Sequence, residues 1–543
     1  MIKKSRRDFL MMMSKLGLGT FVIDQLLEQI SSGVIKNAFS QVPTFSRNFT
    51  SNFYNYVGIY FAGGPPRWMF DLPIDPISEA SSYSERVNSP FYNPMVLTGW
   101  DNVSTSEMTS RYELTNGLPP LWNTGNLSDL KNNMLIIRGM NNLSIHPAWV
   151  KQFRPRKDKI SLHAVPKHHF GSNSGYLDNV TLGVSNIPLG LSSGANSTLL
   201  GFDSSNVQKT INQVIDPFIS EKAAGSSLDE KVDQALDRLK FIGQNYNIHS
   251  NQIHDSVNEA RELFDVGLDI LRDDFLNKYT HYQQIWGSAM ECVVPGVDSF
   301  STFPTTSNKV DDMTHGETYN TNNFFTGIKL STANGNLINW IRTNGTTASN
   351  NVFAAGLALA EILLGANSVN QKLTSSLLIS GGNLITTSGN ILVGDPHDWG
   401  TVTTNFLYSK YFQGVAFCLN SFIGNLGSNI FNKSLIHLAS EFSRSARYNA
   451  TGSDHGGKAG VTTLISGIPR LAQKGIHGDL AGESSIGNEN STYRGHWGQN
   501  ASGYNSKQVF NLIEKVFDIN KSSRTFNETE DQELVMNLLG NDR

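Results

Sequence analysis

The sequence predicts an α/β fold with a mostly parallel central sheet flanked by helices. Three observations carry that expectation. Short, nearly continuous apolar runs stop at turn residues, as buried parallel strands do. Amphipathic stretches alternate with those runs. The chain, 543 residues long, suffices for one large domain with insertions or for two domains.

The apolar runs come in order. Residues 56–61 lead into Ala62-Gly63-Gly64-Pro65-Pro66, and 134–137 lead into Arg138-Gly139. Residues 377–379 end at Gly381-Gly382, and 391–393 end at Gly394-Asp395. Residues 435–438 lead to Ala439-Ser440-Glu441, and 461–465 lead to Ser466-Gly467. Between them, Leu228, Val232, Leu236, Leu239 and Ile242 recur at three- and four-residue spacing, one face of a helix. A second amphipathic stretch covers 253–286, and the pair reads as a helical hairpin insertion near 226–290. Residues 351–364 are almost all apolar and small, a buried helix, and 506–517 form a last amphipathic helix. A single domain over 50–520 and a polar C-terminal tail over 521–543 complete the expected organisation.

Ser5-Arg6-Arg7-Asp8-Phe9-Leu10, preceded by Lys3 and Lys4, has the paired arginines and apolar sequel of a twin-arginine signal. The apolar stretch 10–21 is shorter than the roughly 20 residues of a transmembrane helix. A basic amphipathic helix is the alternative reading. The expectation is export by the twin-arginine translocation machinery to the periplasm or the exterior, with 1–40 as signal and leader. Acidic residues outnumber basic ones, 47 to 43, and no basic cluster or later bilayer-length apolar run occurs. The sequence therefore predicts no nucleic-acid partner and no stable membrane span. Cys292 and Cys418 could form one bridge or remain two buried thiols.

Two clusters combine carboxylate and imidazole at expected strand ends: Gly394-Asp395-Pro396-His397-Asp398 and Gly452-Ser453-Asp454-His455-Gly456-Gly457. Oxygen and nitrogen donors without thiolates suit zinc, manganese or other divalent cations. Taken singly, each reads more readily as an Asp-capped turn with a hydrogen-bonded His.

Ser440-Glu441-Phe442-Ser443-Arg444-Ser445, followed after a short loop by Ser453-Asp454-His455-Gly456, resembles the hallmark of the family called domain of unknown function 1501. That family is a branch of the alkaline phosphatase and sulfatase superfamily. The likeness extends to Phe61-Ala62-Gly63-Gly64-Pro65 with Phe70-Asp71, to Ile136-Ile137-Arg138-Gly139 with His146, and to Gly394-Asp395-Pro396-His397. It extends also to Lys474-Gly475-Ile476-His477-Gly478-Asp479. The resemblance implies an alkaline-phosphatase-like layered sandwich and a divalent cation (zinc, manganese or calcium) held by Asp395, His397, Asp454 and His455. His477 and Asp71 are further candidate ligands. Glu441, Arg444 and His146 would stand behind them, with Glu441 and Arg444 equally readable as a structural ion pair. A small anionic ester, phosphate or sulfate, is the implied substrate. The first loop, Pro65-Pro66-Arg67-Trp68-Met69-Phe70-Asp71, departs from the family pattern, and no nucleophile stands out. A catalytically degenerate binding or structural protein of the envelope is therefore the alternative.

Overall fold

The structure is a computed structural model. It describes residues 53–67, 70–72, 127–140, 152–156, 158–170, 179–182, 197–200, 275–291, 349–365, 374–386, 389–391, 401–441, 443–446, 453–456, 460–478, 503–526 and 533–539. The chain divides into two compact units, 1–51 with 206–278 and 52–205 with 279–543. The strands and the labelled helices placed below lie in the second.

The expected apolar runs form strands. β1 (Asn55–Phe61), β2 (Met134–Met140), β3 (Asn179–Leu182), β4 (Ser197–Leu200) and β5 (Ser376–Ser380) come first. A two-stranded antiparallel pair follows, β6 (Leu384–Thr386) with β7 (Gly389–Ile391). Then come β8 (Ser434–Ser440), β9 (Ser443–Ala446), β10 (Ser453–Gly456), β11 (Gly460–Ser466) and β12 (Gly475–His477). Eight strands make the main sheet, in the order β12-β2-β11-β8-β1-β5-β3-β4. Only β11 runs antiparallel, against β8 and β2.

Both faces of the sheet are covered, which is why β1, β2, β8 and β11 are buried along their whole lengths. Helix α1 (Asn351–Leu364) matches the expected bounds. Asn350 caps it through Phe353 N, and Gly365 ends it in the left-handed conformation. Gly356 leaves room for Ile379 of β5, whose Cγ2 would lie 2.5 Å from an added Cβ. Helix α2 (Thr401–Phe431) packs Tyr411 and Phe412 edge-to-face against Phe61 on the same face. It breaks at Gly427, φ 63° and ψ 166°. On the opposite face, α3 (Ser506–Val516) and α4 (Glu533–Leu539) pack Val509, Phe510, Leu512, Ile513, Leu534 and Val535 with Tyr56, Leu135, Leu435 and Leu464. Asn505 and Gln508 close the start of α3 as a capping box.

Four features differ from expectation. Ile391, the first residue of the expected run 391–393, ends the short hairpin partner of 384–386 rather than joining the main sheet, and only two residues separate Thr386 from Gly389 in sequence; residues 392 and 393 lie outside the described residues. The region 453–456, expected as loop, pairs with 443–446 as an antiparallel hairpin. Residues 533–539, expected in a polar tail, form a helix that buries Leu534, Val535 and Leu538. Helix α2 and strands β3, β4 and β12 were not anticipated. Of the helical hairpin near 226–290, only a helix over Phe275–Glu291 lies within the described residues. No helix among the described residues is long and apolar enough to cross a membrane.

Candidate functional site

After β1 the chain goes to β2 on one side of it and then to β3, β4 and β5 on the other. The carboxyl end of β1 is therefore a topological switch point, where parallel sheets gather ligands. Gly63 and Gly64 follow at once with φ of 70° and 59°, a path that other residues take at a cost. The loop they begin is tied to β8. Glu441 N donates to Phe61 O at 3.2 Å, and Glu441 Oε2 accepts from Gly63 N at 2.8 Å. Glu441 thus pins the first loop by a charge-assisted bond to backbone. Its negative charge, after burial, helps push the Tyr60 phenol up.

Next to it lies a buried ion pair that sequence reasoning did not foresee. Arg67 grips Asp71 with Nε on Oδ1 and Nη2 on Oδ2, a bidentate fork between residues 2% and 0% exposed. Arg67 Nη1 donates to Ser440 Oγ at 3.3 Å, and the guanidinium carbon lies 5.2 Å from the Phe61 ring centroid. Thr463 Oγ1 of β11 donates to Asp71 Oδ2 at 2.6 Å. Gln152 Nε2 donates to Ser440 O. Asp71 therefore does reach the carboxyl edge, but both of its oxygens are engaged. The available clue was the four-residue spacing of Arg67 and Asp71 in the loop.

On the other face of β8 runs a neutral chain. Tyr56 Oη lies 2.8 Å from His437 Nδ1, and His437 Nε2 lies 2.6 Å from Thr462 Oγ1. Thr462 Oγ1 donates onward to Leu438 O at 3.3 Å. That direction assigns the proton of His437 to Nε2 and makes Tyr56 the donor to Nδ1. Burial, seconded by the charge of Arg67, lowers the His437 pKa to about 3, so the ring is neutral.

The remaining expected site residues are distributed as follows. Asp454 and His455 stand on β10, opposite Ser445 and Arg444 of β9, in a hairpin that starts three residues after the end of β8. His477 ends the edge strand β12, three strand spacings from β8, roughly 14 Å. Its Nε2 lies 2.9 Å from Tyr504 Oη, and the two rings stack. Arg6, Arg7, His146, Asp395 and His397 lie outside the described residues. Among the described residues, no three His, Cys, Asp or Glu side chains converge in a way that could hold a metal ion. Cys418 is a buried free thiol whose pKa is raised by burial, and Cys292 lies outside the described residues. The chain matches no family model, no curated protein and no solved structure.

Proposed function

We propose that the chain is an exported protein of the alkaline phosphatase and sulfatase type, of the domain of unknown function 1501 family, acting as a hydrolase on a small phosphate or sulfate ester. Asp395, His397, Asp454 and His455 would hold a divalent cation (zinc, manganese or calcium), which would polarise the ester's anionic group. One observation carries this reading: Glu441, directly after β8, pins the Gly63-Gly64 loop at the switch point, and the hairpin bearing Asp454 and His455 follows within a few residues. The glycines and Glu441 would set the floor of the crevice. Export rests on Arg6 and Arg7 of the N-terminal signal.

The full chain, expressed with its own N-terminus, tests both halves. Protein in the periplasmic fraction should disappear from it when Arg6 and Arg7 are both changed to Lys, which keeps charge but not the planar fork. Asp454→Asn with His455→Gln should remove bound metal and at least 10²-fold of any aryl phosphatase or sulfatase rate, as loss of metal-activated attack does. An active double variant with full metal content would end the hydrolase reading.

The Arg67–Asp71 pair favours the second reading, a degenerate family member serving the envelope by binding or structure. Such a protein would be exported equally well but inert toward both ester classes with zinc, manganese or calcium added.

A further inference from the structure

We infer that Arg67 is the resident cation of the first loop, so that Asp71 holds a guanidinium where the superfamily resemblance leads one to expect a metal ion. The inference rests on the proposed family reading for its contrast, but not for its geometry. The oxygens gathered at the carboxyl edge form a shell around one positive centre. Asp71 contributes both carboxylate oxygens and Ser440 its hydroxyl, while Thr463 spends its proton on Asp71 Oδ2. Such a shell suits a hard divalent ion. Here it is matched instead to the fork of Arg67, whose planar donors meet a carboxylate two at a time.

Burial makes the assignment exclusive. Arg67 and Asp71 are 2% and 0% exposed, and each would be an uncompensated buried charge without the other. A divalent ion on Asp71 would have to expel the guanidinium into a wall built by Phe61, Phe70, Tyr411 and Phe412. Those four residues offer aromatic faces and no carboxylate, and the Glu441 carboxylate beyond Ser440 is engaged by Gly63 N. The first loop therefore does not fit a metal, and any cation the protein takes up is held without Asp71.

The test is a thermal double-mutant cycle on the full chain: Arg67→Met, Asp71→Leu and the double variant, each in EDTA and in excess zinc or manganese, with metal content measured after dialysis. The expected result is coupling. Each single substitution lowers Tm sharply, the double variant recovers much of the loss, and the coupling is the same in EDTA as in metal. Metal content of every folded variant should equal the wild type's. Failure of the single variants to fold while the double folds is coupling in its extreme form. Should all three fail, wild-type crystals soaked in manganese decide: no anomalous peak within coordination distance of Asp71 is expected, and a peak there overturns the inference. Absent coupling, or metal lost on Asp71→Leu, overturns it too. A wild type that binds no metal at all, with the coupling intact, would sink the hydrolase reading and leave this one standing.

Discussion

Strand β8, buried along its whole length, carries polar groups into both faces of the sheet, and the two faces treat them differently. On the α2 face, at the carboxyl edge, Ser440 meets a complete ion pair, Arg67 with Asp71, closed by Thr463. On the α3 face, His437 joins a chain of neutral groups from Tyr56 to Thr462. Thr462 and Thr463 are adjacent in β11 and serve opposite faces because successive strand residues point to opposite sides. On the α2 face the buried carboxylate of Asp71 is met by a bidentate partner and a further donor. Where no carboxylate is at hand, the imidazole stays neutral.

Removing one ion partner should break that contrast most severely. Arg67→Ala would leave the Asp71 carboxylate buried without a counter-charge. The expected loss is about 3–5 kcal/mol, read as a fall in the urea midpoint at unchanged m-value. An effect below about 1 kcal/mol would mean that water reaches Asp71.

The neutral face should reveal itself through pH. The folded pKa of His437, about 3, lies below the unfolded value of roughly 6.5. The unfolded chain thus takes up a proton in that window that the folded chain refuses. Stability from this group is fully present above about pH 6.5 and declines as pH falls toward 3. His437→Phe should lower stability at pH 7 and flatten its pH dependence between 6.5 and 4 by about one proton. An unchanged slope would locate the acid sensitivity elsewhere. His163, buried with a pKa lowered to about 4, is the obvious other contributor.

The smallest and sharpest comparison is between the neighbouring threonines. Thr463→Val removes one bond to a charged acceptor, expected at about 1.5–3 kcal/mol, and Thr462→Val two neutral ones, from His437 and to Leu438 O, at about 0.5–1.5 kcal/mol each. A loss per bond no larger at Thr463 than at Thr462 would erase the distinction between the faces.

Much of the fold was readable because burial on both sides leaves long apolar runs. Residues 435–438 and 461–465 need no neighbour to announce themselves, and 351–364 carries its own cap in Asn350. Position 391 is in a strand as expected but not in the main sheet, because a short apolar run is consistent with any short pairing and Ile391 finds Leu384 as its partner. The end of the chain misled. Leu534, Val535 and Leu538 are too few to outweigh the surrounding polar residues in composition, yet at helical spacing they cover Phe526 and α3. Of the site, the Gly63-Gly64 turn was visible, while Glu441 was expected behind a metal or paired with Arg444 and instead accepts from Gly63 N. The grip of Arg67 on Asp71 was not visible, because a basic residue four places from an acid is commonplace, and only burial turns the pair into a fixture.

The reversed direction of β11 has a consequence for how this protein could change. Parallel neighbours need a crossover of a dozen or more residues, usually a helix that also seals a face of the sheet. The chain between β8 and β11 has no such duty. It leaves and re-enters the sheet at one edge, with its ends a strand spacing apart, about 5 Å. Lengthening such an excursion costs only about 0.6 kcal/mol for each doubling. The segment holding Arg444, Asp454 and His455 can thus grow by insertion at little entropic cost while the strands beneath it keep their register.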